Sequence, residues 1–210
     1  MARPIRIWGR TTSSNVKKVL WLADELKLNY ERIGADSKFG EIDTPAYRAL
    51  NPNVRVPTLE DGDYVLWESN SVMRYLCMKY GGEVFYPADP AVRANIDRWL
   101  DWQLSTVIPV DVPVFWGTIR TPVEKHDKAA IARGTEKLVA VWKILDTELA
   151  KRDYAASGNF SIADIALGIL AYRVFANPFI ERPDLPHLAA WIERLRARPP
   201  FKKWVDLPLE

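Results

Sequence analysis

Strand-like alternation is confined to the first 80 or so of the 210 residues, and helical periods fill the remainder. A chain built this way cannot carry one layered core along its whole length, so it has to divide into a mixed part and a helical part. Residues 5–9 read as a short buried strand, followed by the polar loop Arg10-Thr11-Thr12-Ser13-Ser14, rich in residue types that cap helices. Val16, Val19, Leu20, Ala23 and Leu26 then recur at helical spacing up to about Lys27. Residues 29–33 form a second strand, and the right-handed crossover between the two makes them parallel. After a loop with Gly34 and Gly40, a helix starts at about Thr44, with Pro45 in its first turn, and ends before Asn51-Pro52-Asn53. Val56-Pro57-Thr58-Leu59-Glu60 and Tyr64-Val65-Leu66-Trp67 flank Asp61-Gly62-Asp63, a hairpin signal. Residues 69–80 are helical, with Val72, Met73, Leu76 and Tyr80 at core spacing and Gly81-Gly82 as the stop.

Beyond Asp89-Pro90 only helical periods remain. Residues 90–108 carry Ile96, Trp99, Leu100 and Leu104, and Pro109 and Pro113 interrupt or kink the helical pattern after them. Residues 123–152 read as one long helix, 162–174 as a helix buried on most sides, and 186–197 as the helix that closes the set. The expectation is a βαβαββα domain over residues 1–84, a linker over 85–89, and an all-helical domain over 90–210.

Composition narrows the chemistry. Hydrophobic residues at 48% and charged ones at 27% are globular proportions. The net charge is +2 with neither sign gathered into a block, so nothing calls for nucleic acid or a membrane as partner. No uncharged stretch exceeds ten residues, and the N-terminus enters a strand-like pattern instead of an apolar signal core, which makes a cytoplasmic location the expectation. The single Cys77 cannot form an internal disulfide, His126 and His187 make no metal-ligand cluster, and no Gly-x-Ser-x-Gly elbow occurs. No metal is expected, and any reactive atom arrives with a ligand.

Four local features could carry chemistry. Ser13-Ser14-Asn15 opens the first helix, where unpaired N–H groups and a partial positive charge gather hydroxyls and anions; capping would explain the same residues. Lys17 and Lys18 have the wrong sign for a first turn, which a bound anion would ease; solvated surface charge is the other reading. Val56-Pro57 stands at a strand entrance, and a cis bond there would turn the Val56 backbone toward an extended, peptide-like ligand, whereas a trans bond would be structural only. Glu68-Ser69, at a strand-to-helix junction, could receive an amino-acid zwitterion, with Ser69 and the helix terminus on its carboxylate and Glu68 on its ammonium; it is equally an ordinary cap beside an acid. Ser161 to Asp164 has the spacing of a capping box and is assigned to folding.

In these motifs the chain resembles the cytosolic glutathione S-transferases. Asn51-Pro52-Asn53-Val54-Arg55-Val56-Pro57-Thr58-Leu59, Leu66-Trp67-Glu68-Ser69-Asn70 and Asn159-Phe160-Ser161-Ile162-Ala163-Asp164 resemble three signatures of that family, in order, on the expected elements. The resemblance implies an α/β plus all-α protein, a thioredoxin-like domain followed by an all-helical one. Within the family it is similar to bacterial members that use a serine or threonine hydroxyl, near the theta and nu groups. Ser13 then becomes the first choice for the catalytic hydroxyl, with Ser14 and Asn15 as neighbours that could take the role. Tyrosine-using classes place Tyr where Trp8 and Gly9 stand, and Cys77 lies inside the third helix, away from any nucleophile position.

The same resemblance implies that Val56 and Pro57 meet the cysteinyl backbone of glutathione. Glu68 and Ser69 would hold its γ-glutamyl end, Lys38 its glycyl carboxylate, and Arg55 would assist or merely cover the surface. Arg10, Val110, Phe115 and Trp116 are the candidate contacts for a small hydrophobic electrophile, the aromatics serving otherwise as core or dimer contact. The expected activity is conjugation of glutathione to such electrophiles, by a homodimer. A glutathione-dependent disulfide reductase or peroxidase, and a non-catalytic binding protein on the same fold, are the alternatives.

Overall fold

A computed structural model describes residues 4–34 and 42–210. The chain separates into two compact units, Met1–Tyr86 and Pro87–Glu210.

The first unit is built on a four-stranded sheet of order β2-β1-β3-β4, with β1 Ile5–Trp8, β2 Tyr30–Ile33, β3 Thr58–Asp61 and β4 Tyr64–Trp67. β1 pairs parallel with β2, Ile5 opposite Tyr30, and antiparallel with β3, Ile7 opposite Leu59. β3 and β4 form the expected hairpin, closed by Gly62 at a positive φ of 65°. Helices α1 Ser14–Glu25, α2 Pro45–Leu50 and α3 Ser69–Lys79 complete the βαβαββα order. Val16, Val19, Leu20 and Ala23 of α1 and Val72, Met73 and Leu76 of α3 are buried, as their spacing requires.

Two contacts lock this unit. Gly9, at φ 149°, ends β1 so close to α1 that a Cβ there would lie 2.3 Å from Val16 Cγ2 and 3.2 Å from Val56 Cβ. At the other end of the sheet, Asp61 Oδ2 accepts from the Tyr75 hydroxyl at 2.8 Å, the Tyr80 hydroxyl at 2.7 Å and Lys79 Nζ at 2.9 Å, fastening the hairpin to the last turns of α3. Burial pushes the Asp61 carboxyl upward, but the donors from Lys79, Tyr80 and Tyr75 outweigh it and hold the group below the usual carboxylate range.

The second unit holds α4 Pro90–Trp102, α5 Ile108–Thr118, α6 Lys128–Leu149, α7 Ile162–Ala176, α8 Pro186–Arg196 and α9 Pro199–Trp204. Three features depart from the sequence pattern. Pro109 does not break the chain direction: Gln103–Val107 widens into a π turn, Ile108 donating to Gln103 five residues back, and α5 runs on from α4. The wider turn relieves the clash of the proline ring with the carbonyl four residues before it. The long helix expected from residue 123 starts at Lys128 instead, because Asp127 caps it, Oδ1 accepting from Ala130 N at 2.9 Å. A short helix, α9, comes after the one expected to close the set, with Pro199 in its first turn.

The core of this unit is α7, apolar on nearly every face. Asp164 in its first turn is fully buried, and its two oxygens accept from Ala155 N at 2.8 Å, Ser161 N at 2.9 Å, Ser161 Oγ at 3.0 Å and Trp191 Nε1 at 3.0 Å. The folding role read from its spacing is what the geometry displays. Among the described residues no helix is long and apolar enough to cross a membrane.

Gly9→Ala should destabilise the protein by about 2–4 kcal/mol, because it adds both a clash and a left-handed φ for a residue with a Cβ. Urea denaturation measures this, and Val16→Ala in the same chain should recover only the steric part. Asp61 contributes stability above its unfolded value of about 3.9 and loses it as the pH falls through its lower folded value. Asp61→Asn should therefore lower the melting temperature at pH 7 and flatten its dependence on pH below about 4.

Candidate functional site

The placement of the first turn of α1 comes directly from the Gly9 contact, which sets how near the helix lies to the end of β1 and to Val56. Ser13 occupies the N-cap position with extended backbone, yet its side chain makes no capping hydrogen bond. The caps of α2, α4 and α6 behave differently: Thr44, Asp89 and Asp127 each accept from a backbone N–H of their helix. A hydroxyl that stands at a helix N-terminus without closing it is open to a ligand. Ser14 is the first residue of α1, and Asn15 Oδ1 accepts from Ser69 Oγ at 3.3 Å, so the triplet is tied to the start of α3.

The Val56-Pro57 peptide is cis. On either side of it a buried clamp holds the chain. The Tyr47 hydroxyl donates to the Arg55 carbonyl at 2.7 Å and lies 2.8 Å from Thr58 Oγ1. Asn51 Nδ2 reaches the same two atoms at 2.8 and 3.1 Å, while Asn51 Oδ1 accepts from Asn53 N. Burial of the Tyr47 ring pushes its hydroxyl above the ordinary tyrosine range, against the pull of Thr58 and Asn51, so it stays a neutral donor. Pro57 is buried, Val56 half-buried and Arg55 exposed, its carbonyl fixed and its side chain in solvent.

Glu68 is exposed and holds a φ of 70°, a left-handed value for a residue with a side chain. Such conformations cost about 1–3 kcal/mol and persist where the surroundings impose them. Ser69 comes next as the first residue of α3, buried at 4% exposure, with Asn70 beside it. Lys18 departs from the surface reading of its charge: it is fully buried, Nζ lying 3.4 Å from Ser69 Oγ and 3.2 Å from Asn70 Oδ1.

The structure thus brings Ser13, Ser14, Asn15, Arg55, Val56, Pro57, Glu68 and Ser69 onto the first unit around two helix N-termini and one strand entrance. Lys38 lies outside the described residues. Arg10 is half-buried, its carbonyl accepting from Ser13 N at 3.2 Å. In the second unit, Phe115 is 6% exposed, with the Arg173 guanidinium 3.8 Å from its ring centre, whereas Trp116 is 60% exposed. Val110 is half-buried and, six residues before Trp116, lies about 120° from it around α5.

Tyr47 and Lys18 lie outside the quoted motifs, and Asn51 and Thr58 stand inside the first of them without an assigned role. Lys18 carries a signal in Trp21 and Leu22, both buried, three and four positions on and hence on its own face. Cys77, by contrast, is buried with its thiol pushed up to about 12 by that burial, consistent with its place inside α3.

Comparison with known proteins places these features in a family context. Residues 3–77 match the family model described as glutathione S-transferase, N-terminal domain, and residues 128–194 the one described as glutathione S-transferase, C-terminal domain. Glutathione S-transferase GstB of Escherichia coli is 38% identical over 98% of this chain and 99% of its own. Glutathione S-transferase 3 of Zea mays is 32% identical over 96% of this chain and 93% of its own. The crystal structure of the theta class glutathione S-transferase from Xanthomonas axonopodis pv. citri, with glutathione bound, superposes with a TM-score of 0.93 at 48% identity, covering all of both chains.

Asn51→Ala should cost about 1–3 kcal/mol, because it removes a buried amide with two donors and leaves the Thr58 and Asn53 groups short of a partner. The loss is read by urea denaturation. Cys77 should resist alkylation by iodoacetamide in the native protein at pH 7.5 and react on unfolding, which mass spectrometry of the labelled chain would show.

Proposed function

Because the chain belongs to the glutathione S-transferase family, we propose that it binds glutathione on its first unit and keeps the thiol as a thiolate for attack on small hydrophobic electrophiles. The observation that carries the reading is the Ser13 hydroxyl, placed at the N-cap of α1 and not used to cap it.

In this reading the γ-glutamyl carboxylate lies at the N-terminus of α3 against Ser69, and its ammonium against Glu68, which precedes the helix in a left-handed backbone conformation. The cysteinyl backbone pairs with Val56 beside Pro57, held in place by the Tyr47 and Asn51 clamp on Arg55 and Thr58. Lys38 is proposed for the glycyl carboxylate. The sulfur then reaches the first turn of α1, where Ser13 donates to it, with Ser14 and Asn15 adjacent.

A free cysteine thiol titrates near 8.5, and moving that to about 7 requires about 2 kcal/mol of preference for the anion. A charge-assisted hydrogen bond from a hydroxyl and the positive end of α1 together reach that size. Ser13 therefore removes no proton: the thiol proton leaves to solvent, the hydroxyl and helix end stabilise the sulfur, and the thiolate forms the new bond to carbon as the leaving group departs. The electrophile is proposed to be small and apolar, with Arg10 polarising its leaving group. Val110 and Trp116 are the accessible apolar candidates on α5, and Phe115 serves under Arg173. A homodimer in the cytoplasm completes the proposal, supported by membership of the family.

Ser13→Ala should lower turnover of 1-chloro-2,4-dinitrobenzene at saturating glutathione by about tenfold or more, with glutathione affinity changed by less than about threefold. An equal loss in both would make Ser13 a structural residue. Glutathione at about 100 times its dissociation constant should add about 2.7 kcal/mol of stability, seen as a higher melting temperature; no shift would remove the reading.

A further inference from the structure

The start of α3 contains a relay whose direction is fixed by chemistry. Lys18 Nζ lies 3.2 Å from Asn70 Oδ1 and 3.4 Å from Ser69 Oγ, and Ser69 Oγ lies 3.3 Å from Asn15 Oδ1. Lys18 is fully buried and Ser69 is 4% exposed. An ammonium has three donors and no acceptor, so the Ser69 oxygen can only accept from it. A serine hydroxyl has one proton, and with Lys18 on its lone-pair side that proton has to point to another acceptor. In the structure the acceptor is the side-chain carbonyl of Asn15, in the first turn of α1.

A carboxylate arriving at the N-terminus of α3 competes with Asn15 for this single proton. Hydrogen bonds to an ionised acceptor are roughly twice as strong as neutral ones. The carboxylate therefore takes the Ser69 proton, and the Asn15 carbonyl loses its donor. We infer that Lys18 is a positioning residue which makes Ser69 an obligate donor, and that transfer of the Ser69 hydrogen bond from Asn15 to the γ-glutamyl carboxylate couples recognition of that end of the tripeptide to the Ser13–Asn15 turn. The inference deepens the glutathione reading of the same site and rests on it. It assigns Lys18 no contact with the ligand and no part in bond making; the residue acts on the carboxylate through Ser69, while its bond to Asn70 anchors the ammonium.

The probe is glutathione against 4-aminobutanoyl-cysteinylglycine, the same molecule without the γ-glutamyl carboxylate, bound to the full-length protein. The wild type should prefer glutathione, and Lys18→Met, which keeps an unbranched side chain one atom shorter and has no donor, should reduce that preference by about tenfold or more, the worth of one hydrogen bond to a charged group. Thiolate absorbance near 240 nm supplies a readout that a merely structural lysine would not move. In the wild type the bound analogue's thiol should titrate at higher pH than that of bound glutathione, and in Lys18→Met the two should coincide. In a cycle with Ser69→Ala, the double variant should discriminate the two ligands no worse than Ser69→Ala alone, since the lysine works through that oxygen.

Lys18→Met that weakens both ligands equally, with preference and thiol titrations unchanged, would overturn the inference while leaving the glutathione reading intact. A wild type that binds neither ligand would overturn both. Should Lys18→Met fail to fold by circular dichroism, Lys18→Gln takes its place under the same expectations, since its amide can accept as well as donate and no longer fixes the direction of the Ser69 proton.

Discussion

The candidate site depends on the missing side chain at Gly9. Any Cβ there would press into Val16 and against Val56, so this one position governs how close the first turn of α1 comes to both the end of β1 and the strand entrance at Pro57. Interiors are close-packed and do not absorb an extra carbon without moving something. The helix end with its unpaired N–H groups and the extended segment that would hold a peptide backbone are therefore set relative to each other by a contact that carries no chemistry itself.

Around that contact, polar side chains fix what backbone packing leaves free. Tyr47 and Asn51 hold the Arg55 carbonyl and the Thr58 hydroxyl, so the residues flanking the cis peptide are held by four hydrogen bonds, the two to Thr58 buried and the two to Arg55 partly so. Asn15, Ser69, Lys18 and Asn70 form a second set that ties α1 to α3. Buried polar groups are costly unless paired, and when paired they select one arrangement. Glu68 adds a strained backbone at the point where the chain leaves β4 for α3. Such a conformation costs about 1–3 kcal/mol and persists because the surrounding structure imposes it.

The second unit applies the same economy to helix ends. Asp164 satisfies the start of α7 and reaches Ala155 and Trp191 as well, while Asp146 Oδ1 accepts from Leu188 N at the start of α8. These buried helix termini thus find acceptors from within the unit or from their own caps. Where a proline stands in the path, as at Pro109, the helix widens by one residue and continues.

Periodicity, turn residues and capping types suffice to place nearly every strand and helix, because spacing along the chain is a local property and alternation at two or near 3.6 residues reports directly which face is buried. The motifs at Ser13, Val56-Pro57 and Glu68-Ser69 are visible for the same reason, each being a short run at an element boundary. The start of α6 escapes such a reading because Asp127 lies inside a run that already looks helical, and α9 escapes it because six residues carry too little pattern. The roles of Lys18, Tyr47 and Asn51 are out of reach for a different reason: each has a partner 51, 11 or 7 residues away, respectively. Local pattern therefore specifies the elements, their order and the residue types gathered at their ends. Packing in three dimensions settles that a lysine is buried against Ser69 and that a serine at a helix start makes no capping hydrogen bond, since burial and hydrogen-bond choice belong to whichever distant groups the fold brings within 3 Å or so.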